Sequence, residues 1–383
     1  MTLGDYVVTT DYDALLRPIK VQAEDTNTGG DSIYTYTEFD AMGRVALASL
    51  PYGTDQTNPD GVAILYDALG RETQVSETAT GGGTTAYDYM AGNQTKITDP
   101  ESNVTVNSFS GYGSPDDGNR INSDMPEGIE VDYGYDIYGK LTSISQAKTG
   151  GGTHDSFFYY DSRQRLCRRS IPETGDTLYA YYASGELKQY SEGYASGSSA
   201  CVTPPSATRV VLTYDDAGRL ETTNYPSGTP DITRTYDPNG NVLTVDRGGV
   251  DWTYTYNELD LVESEQLAVS GQTYTINPEY DTDQRLISKV FPSGNTYLYA
   301  NDGHGRTTQI KRGSTIYIND VDYFANGKIQ TLNRGNGGIF SQTQNDRQLI
   351  TSIGGNWGDT FTYDHDVIGR IDTITATSNA AYN

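Results

Sequence analysis

The heptapeptide Tyr214-Asp215-Asp216-Ala217-Gly218-Arg219-Leu220 recurs, with small changes, from one end of the chain to the other. Close copies are Tyr66-Asp67-Ala68-Leu69-Gly70-Arg71, Tyr135-Asp136-Ile137-Tyr138-Gly139-Lys140-Leu141 and Tyr236-Asp237-Pro238-Asn239-Gly240-Asn241-Val242. Phe39-Asp40-Ala41-Met42-Gly43-Arg44-Val45 puts Phe in the Tyr place. Other copies lose one element. Tyr160-Asp161 and Tyr280-Asp281 carry Gln164 and Gln284 where Gly stands elsewhere, Tyr12-Asp13 carries Leu16, and Tyr256-Asn257 carries Asp260. Tyr182 keeps Gly185-Glu186-Leu187 one residue sooner, and Tyr323 keeps Gly327-Lys328-Ile329. Gly305-Arg306 and Gly369-Arg370 follow Asn301 and His365 in the Tyr place. Most copies lie about 20–27 residues apart, which makes roughly 15–16 repeats and one continuous repeat domain over residues 1–383.

Elementary stereochemistry reads each copy as a hairpin. A type I turn favours Asp at its first position and Gly at its fourth, and a left-handed Gly there completes the bulged hairpin. The Asp carboxylate bonds nearby backbone N–H groups. Incoming strands carry Tyr at period two, as in Tyr34/Tyr36, Tyr133/Tyr135, Tyr254/Tyr256 and Tyr297/Tyr299, so both rings share a sheet face. Outgoing strands alternate, as in Leu141-Thr142-Ser143-Ile144. Gly81-Gly82-Gly83, Gly150-Gly151-Gly152 and two Pro-Ser-Gly turns punctuate the rest. No window carries an apolar stripe of helical period. The longest step contains Tyr194 to Pro205, read as a loop insertion near residues 190–208. A lone hairpin is marginal in water, but stacked hairpins share a face. The expected fold is therefore all-β, tandem hairpins in a continuous sheet strip.

Composition agrees once Tyr is counted. Leu, Ile, Val and Phe number 21, 22, 20 and 8, together 71 of 383 residues, a share that with high net charge ordinarily flags disorder. The chain also holds 32 Tyr, whose rings bury apolar area while the hydroxyl finds a polar partner. Fifty-one acidic against 26 basic residues leave a net charge of −25, which argues against nucleic acid as a partner and disfavours anionic membranes. No apolar run is long enough for a transmembrane helix, and Met1-Thr2-Leu3-Gly4-Asp5 lacks the start of a signal peptide.

A tandem Tyr-Asp-x-x-Gly-Arg-Leu repeat at this period resembles the YD-repeat, or Rhs-repeat, family, from Tyr12 to Arg370. Its members include bacterial Rhs polymorphic toxins, cocoon components of insecticidal toxin complexes, and teneurins. The resemblance implies a sheet strip that spirals into a hollow shell, or part of a cage, around a C-terminal toxin-like cargo. It implies a bacterial protein that is secreted or displayed at the cell surface. The self-cleaving core and toxin that follow the repeats in the bacterial toxins are not found here. Because the chain opens and closes in repeat sequence, it is expected to be a segment of a larger protein. The expected partners are further repeats or a cargo domain of the same protein, and self-association through open sheet edges. A second reading is an extracellular adhesion module that binds glycans or surface proteins through exposed Tyr.

Residues that could carry chemistry are few. His154, His304 and His365 are far apart and lack metal-ligand spacing. Gly134 to Lys140 nearly spells a phosphate loop, but Leu141 replaces the required Ser or Thr and no helix follows. The pairs Asp11/Asp13, Asp281/Asp283, Asp320/Asp322 and Asp364/Asp366 could meet Ca²⁺ along a strand, but most include a turn Asp and none has EF-hand spacing. Asn93-Gln94-Thr95 and Asn103-Val104-Thr105 are glycosylation sequons, uninformative in a bacterial protein. Cys167 and Cys201 lie in neighbouring repeats, and a disulfide between them would staple the long loop in an exported chain. No catalytic residue, metal or cofactor is expected, and the chain is not expected to be an enzyme.

Overall fold

The computed structural model describes residues 2–27, 30–54, 58–111, 118–194, 200–356 and 358–377. It contains 33 strands, from Thr2–Leu3 to Ile371–Thr377, with a 3-10 turn at Pro126–Gly128 and no α-helix among the described residues. The fold is all-β and built of hairpins. Val210–Tyr214 pairs antiparallel with Leu220–Asn224, which pairs with Ile232–Tyr236, which pairs with Val242–Asp246. Register slips by one residue on entry to each motif turn, between Thr213 and Tyr214 and between Thr235 and Tyr236, so the bulge lies at the motif Tyr. The antiparallel order separates two edges. One carries the Tyr-Asp turns. The other carries the connections between hairpins.

Although the repeat shows no boundary in sequence, packing gathers the chain into two compact units. One comprises Met1–Asp88, Ile97–Asn103 and Pro278–Asn383, and the other Tyr89–Lys96 and Val104–Asn277. In the second unit the core is thin. Val131, Cys167, Leu178, Pro204, Val210 and Leu212 are its buried apolar side chains among the described residues. Polar side chains fill much of the remainder. Ser123 donates to Asn107 at 2.7 Å, and Arg168 pairs with Asp176 at 2.9 Å, with its guanidinium 5.0 Å from the Tyr159 ring centre. Cys167 and Cys201 are disulfide-bonded with Cα atoms 5.4 Å apart. The bond ties Cys201 back to the strand Leu166–Ile171. Residues 195–199 of the expected insertion lie outside the described residues.

In the first unit, hairpins about 270 residues apart in sequence meet edge to edge. Turn tips of the later hairpins rest on connections of the earlier ones. The carboxylate of Asp283 lies against Gly4. Gly303 N–H donates to Asp25 Oδ2 at 2.6 Å, and His304 and Arg306 both reach Asp31 at 3.0 Å. Tyr323 to Asn326 face Leu50 to Gly53 across a cleft of about 410 Å³. Arg347 pairs with Glu77 at 2.6 Å, Gln348 donates to Pro51 O at 2.6 Å, and Arg370 pairs with Glu101. Five successive turns thus meet five successive connections in order. Gly303 is required by this approach, because a Cβ there would fall 2.3 Å from the Asp25 carboxylate.

Candidate functional site: the repeat turn and its interlock

The recurring chemical unit is the turn, and Asp215 shows how it closes. Asp215 N–H donates to Arg219 O at 2.9 Å, and Gly218 N–H donates to Asp215 O at 2.9 Å. Oδ1 accepts from the N–H groups of Ala217 and Arg219 at 3.0 and 2.9 Å. Oδ2 takes the Arg219 guanidinium, with Nε at 2.8 Å and Nη2 at 2.7 Å. The Arg219 backbone N–H, followed by its guanidinium, holds the Asp215 carboxyl below the usual carboxylate range. Asp13, Asp40 and Asp67 are held down in the same way by Arg17, Arg44 and Arg71. Gly218 has φ 77° and nothing near its missing Cβ, so backbone conformation alone selects glycine there. Where the repeat lacks Gly, the chain takes the same conformation regardless: Leu16, Gln164, Asp260 and Gln284 have φ between 60° and 65°.

The turn also grips its successor. Arg219 Nη1 donates to Asp237 O of the next turn at 2.6 Å, and its guanidinium lies 4.7 Å from the Tyr236 ring centre. Tyr236 reaches back, its hydroxyl donating to Leu220 O at 2.7 Å. The ladder between Leu220–Asn224 and Ile232–Tyr236 holds only Thr222↔Thr233 and Thr223↔Ile232, so no strand N–H meets the Leu220 carbonyl. The phenol fills that vacancy. Tyr66 on Val45 O, Tyr160 on Leu141 O, Tyr181 on Leu166 O, Tyr256 on Val242 O and Tyr323 on Thr307 O repeat it at 2.6–2.9 Å. Tyr135 and Tyr214 make the same bond to Arg120 O and Leu187 O at 2.8 and 2.9 Å. Burial pushes the phenols of Tyr66, Tyr135, Tyr160, Tyr181 and Tyr214 above their ordinary range. Asn301, in the Tyr place, uses its amide on Leu286 O at 2.8 Å. Phe39 keeps only the ring, under Arg17 at 4.4 Å.

Residue by residue, Tyr66, Asp67, Gly70 and Arg71 form one such turn, and Tyr135, Asp136 and Gly139 another. Tyr214, Asp215, Gly218 and Arg219 form a third, and Tyr236, Asp237 and Gly240 a fourth. In that fourth turn Asn241 replaces Arg and bridges Asp237 Oδ2 and Asp260 Oδ1 at 2.9 and 2.7 Å. One assignment needs correcting. Tyr182 occupies the Asp place, because its N–H donates to Glu186 O, and Tyr181 occupies the Tyr place under Arg165 at 4.6 Å. Two turns went unread in sequence: Asn345-Asp346-Arg347-Gln348 closes identically with Gln344 and Asn345 replacing Tyr and Asp, and Asp99 to Asn103 closes the same way with Ser102 in the Gly place. In the first, the signal available was Asn at the turn start with an aliphatic residue four positions on.

The remaining candidates take ordinary places. His154 sits 3.2 Å from Glu173 at the surface. Gly139 N–H is spent on Asp136 O, and Lys140 lies over the Tyr160 ring, so this segment is a repeat turn. Asp13, Asp281 and Asp366 are occupied by Arg17, Arg285 and Arg370, and Asp283 by Arg285 at 2.7 Å. Asp364 and Asp322 accept threonine hydroxyls. Among the described residues no three His, Cys, Asp or Glu side chains gather as metal ligands.

Comparison with known proteins follows the same lines. Residues 66–104 match the family model described as the RHS Repeat. No curated protein matches the sequence. Among solved structures, TcdB2-TccC3 without its hypervariable C-terminal region superposes with a TM-score of 0.76 at 15% identity, over 97% of this chain and 22% of that one. A Photorhabdus luminescens Tc holotoxin pore gives 0.74 at 15% identity, over 98% and 22%. TcdB2-TccC3 itself gives 0.75 at 14% identity, over 98% and 22%. The fold is shared, and the chain spans about a fifth of the length of the structures it matches.

Proposed function

We propose that this chain, which matches the RHS Repeat model at residues 66–104 and shares the fold of the toxin-complex structures, is a wall segment of a larger encapsulating YD/RHS-repeat protein. That protein would be bacterial, secreted or displayed at the cell surface, and would house or deliver a C-terminal toxin-like cargo. The chain's own role is structural rather than catalytic. The observation that carries this reading is the interlock. The motif is spent within its own turn and on its two neighbours: Arg219 closes on Asp215 and grips Asp237 O and Tyr236 of the next turn, and Tyr236 caps Leu220 O of the previous hairpin. Chemistry of that kind builds a wall. The partners that follow are further repeats and a cargo domain of the same protein.

Adhesion through outward Tyr receives less support, since the motif phenols are committed to backbone carbonyls. The test is limited proteolysis of the whole protein, read by mass spectrometry. A C-terminal domain that resists protease while the repeats are intact, and becomes cleavable once they are unfolded by urea, is the expected outcome. A C-terminal domain digested at the same rate in both states overturns the proposal.

A further inference from the structure

The two sets of hairpins in the first unit, residues 1–88 with 97–103 and residues 278–383, meet along a seam whose two sides both lie inside the chain. Ladders run between consecutive strands within each set, as from Tyr6–Tyr12 to Pro18–Asp25 and from Ile339–Gln344 to Ile350–Gly355. Across the seam, every bond between described residues uses a side chain. Gly303 N–H meets Asp25, His304 and Arg306 meet Asp31, Arg347 meets Glu77, Gln348 meets Pro51 O and Arg370 meets Glu101. Charge favours the match. The earlier set holds 16 Asp or Glu against 4 Lys or Arg and the later set 11 against 9, and the arginines that cross all stand on later turns.

Arg347 makes the most of these contacts. In the motif turn, Arg219 spends Nε on its own Asp215 and Nη1 on Asp237 O of the next turn. In the turn from Asn345 to Leu349, Asn345 stands in the Asp place and offers no carboxylate, and the arginine comes two positions later rather than four. Arg347 Nε therefore crosses the seam to Glu77 at 2.6 Å, and Nη1 reaches Gly81 O at 3.1 Å. Its grip on the next turn is kept, with Nη1 on Asp366 O at 3.0 Å and Nη2 on Val367 O at 2.9 Å. Only 6% of the side chain is exposed. The earlier connection is pressed close beside it, since a Cβ on Gly83 would fall 2.9 Å from Val367 O. One guanidinium thus ties an earlier connection to two successive later turns.

A ladder is lost only with the strands that form it, whereas side-chain bonds can be lost while both sets of hairpins stay folded. We infer that the seam is a single cooperative clasp with Arg347 as its keystone: this residue fixes where the two sets meet, and the clasp parts without unfolding a hairpin. The turn does not need the guanidinium for its own closure, because Asn345 Oδ1 takes the backbone N–H groups of Arg347 and Leu349 at 3.1 and 3.0 Å. The side chain is thereby free to serve the seam alone. The inference concerns how the unit closes on itself, goes beyond the wall reading and does not depend on any cargo.

Amide hydrogen exchange followed residue by residue by NMR on the whole chain tests it. Gly303 N–H is the reporter, because it donates across the seam to Asp25 Oδ2 at 2.6 Å and lies on a different turn from Arg347. Gly305 N–H is the internal control, because it is bonded within that same turn to Asp302 O at 3.0 Å. Arg347→Ala is expected to speed Gly303 exchange roughly tenfold or more and to leave Gly305 unchanged. Glu77→Ala is expected to act in the same direction, and the double variant to be no faster than Arg347→Ala. Arg347→Lys keeps the charge but cannot span four acceptors with one ammonium, and is expected to fall between. The triple variant Asn345→Asp, Arg347→Ala, Leu349→Arg rebuilds the motif turn and is expected to release Gly303 as well, which separates loss of the clasp from damage to the turn. Gly303 exchange unchanged in Arg347→Ala, Gly303 and Gly305 sped by the same factor, or a triple variant with native exchange overturns the inference.

Discussion

Replacing Tyr236 by Phe removes one oxygen and leaves the ring under Arg219. The lost bond is the hydroxyl's 2.7 Å donation to Leu220 O, a carbonyl without a ladder partner. A net hydrogen bond contributes about 1 kcal/mol, and stranding its partner adds up to about another, so the cost should be about 1–2 kcal/mol. Stacked repeats open locally, so native-state hydrogen exchange of amides in residues 219–236 is the direct readout, with urea unfolding as its global counterpart. About 1–2 kcal/mol corresponds to roughly 5–30-fold faster exchange of those amides. Tyr12→Phe is the control, because Tyr12 belongs to the first turn, is 57% exposed and should change nothing. Phe39→Tyr is the converse, expected to gain about 0.5–1 kcal/mol by reaching Pro18 O, the equivalent of Leu220 O. Equal losses in Tyr236→Phe and Tyr12→Phe would refute the capping role of the phenol.

Three further outcomes follow from the same geometry. Gly218→Ala should cost about 1–2 kcal/mol through its positive φ alone, and Gln284→Gly should gain about 1 kcal/mol for the converse reason, both measured by urea unfolding. Asp13, Asp40, Asp67 and Asp215 titrate lower folded than unfolded, so their contribution is complete above the ordinary carboxylate pKa of about 4 and is lost as pH falls through and below it. The urea midpoint should therefore hold or rise slightly toward the isoelectric point near 4.3, as self-repulsion fades, then drop; a midpoint still rising at pH 3 contradicts the Asp–Arg turn. Reducing Cys167–Cys201, 34 residues apart, should cost about 3–4 kcal/mol by loop entropy and speed exchange in Leu166–Ile171, with Ile371–Thr377 as the unaffected reference.

How far the sequence could be read depended on the distance over which each contact acts. The turn is legible because Asp215, Gly218 and Arg219 meet within five residues, and one backbone geometry satisfies all three. Departures were legible as departures, but not their outcome. Gln164 and Gln284 adopt the left-handed turn because flanking ladders and the Asp carboxylate over-determine it. The exchange of Tyr181 and Tyr182 was hidden because adjacent tyrosines offer two registers, and the choice is made by Arg165 above the Tyr181 ring and by Leu166 O at its hydroxyl.

By itself the sequence determined a run of bulged antiparallel hairpins with Tyr as the repeated packing residue, since those features rest on short-range stereochemistry that every copy restates. Tertiary structure decided what the repeated groups are for. The Tyr hydroxyl serves the previous hairpin and the Arg serves the next, a direction that no spacing encodes. It also decided which turns are covered. Arg306 meets Asp31 and Arg347 meets Glu77 across about 270 residues, through single ion pairs that leave no periodic trace. Leu16 and Met42 carry the same turn and stay 81% and 79% exposed, because exposure is a property of the neighbour and not of the residue.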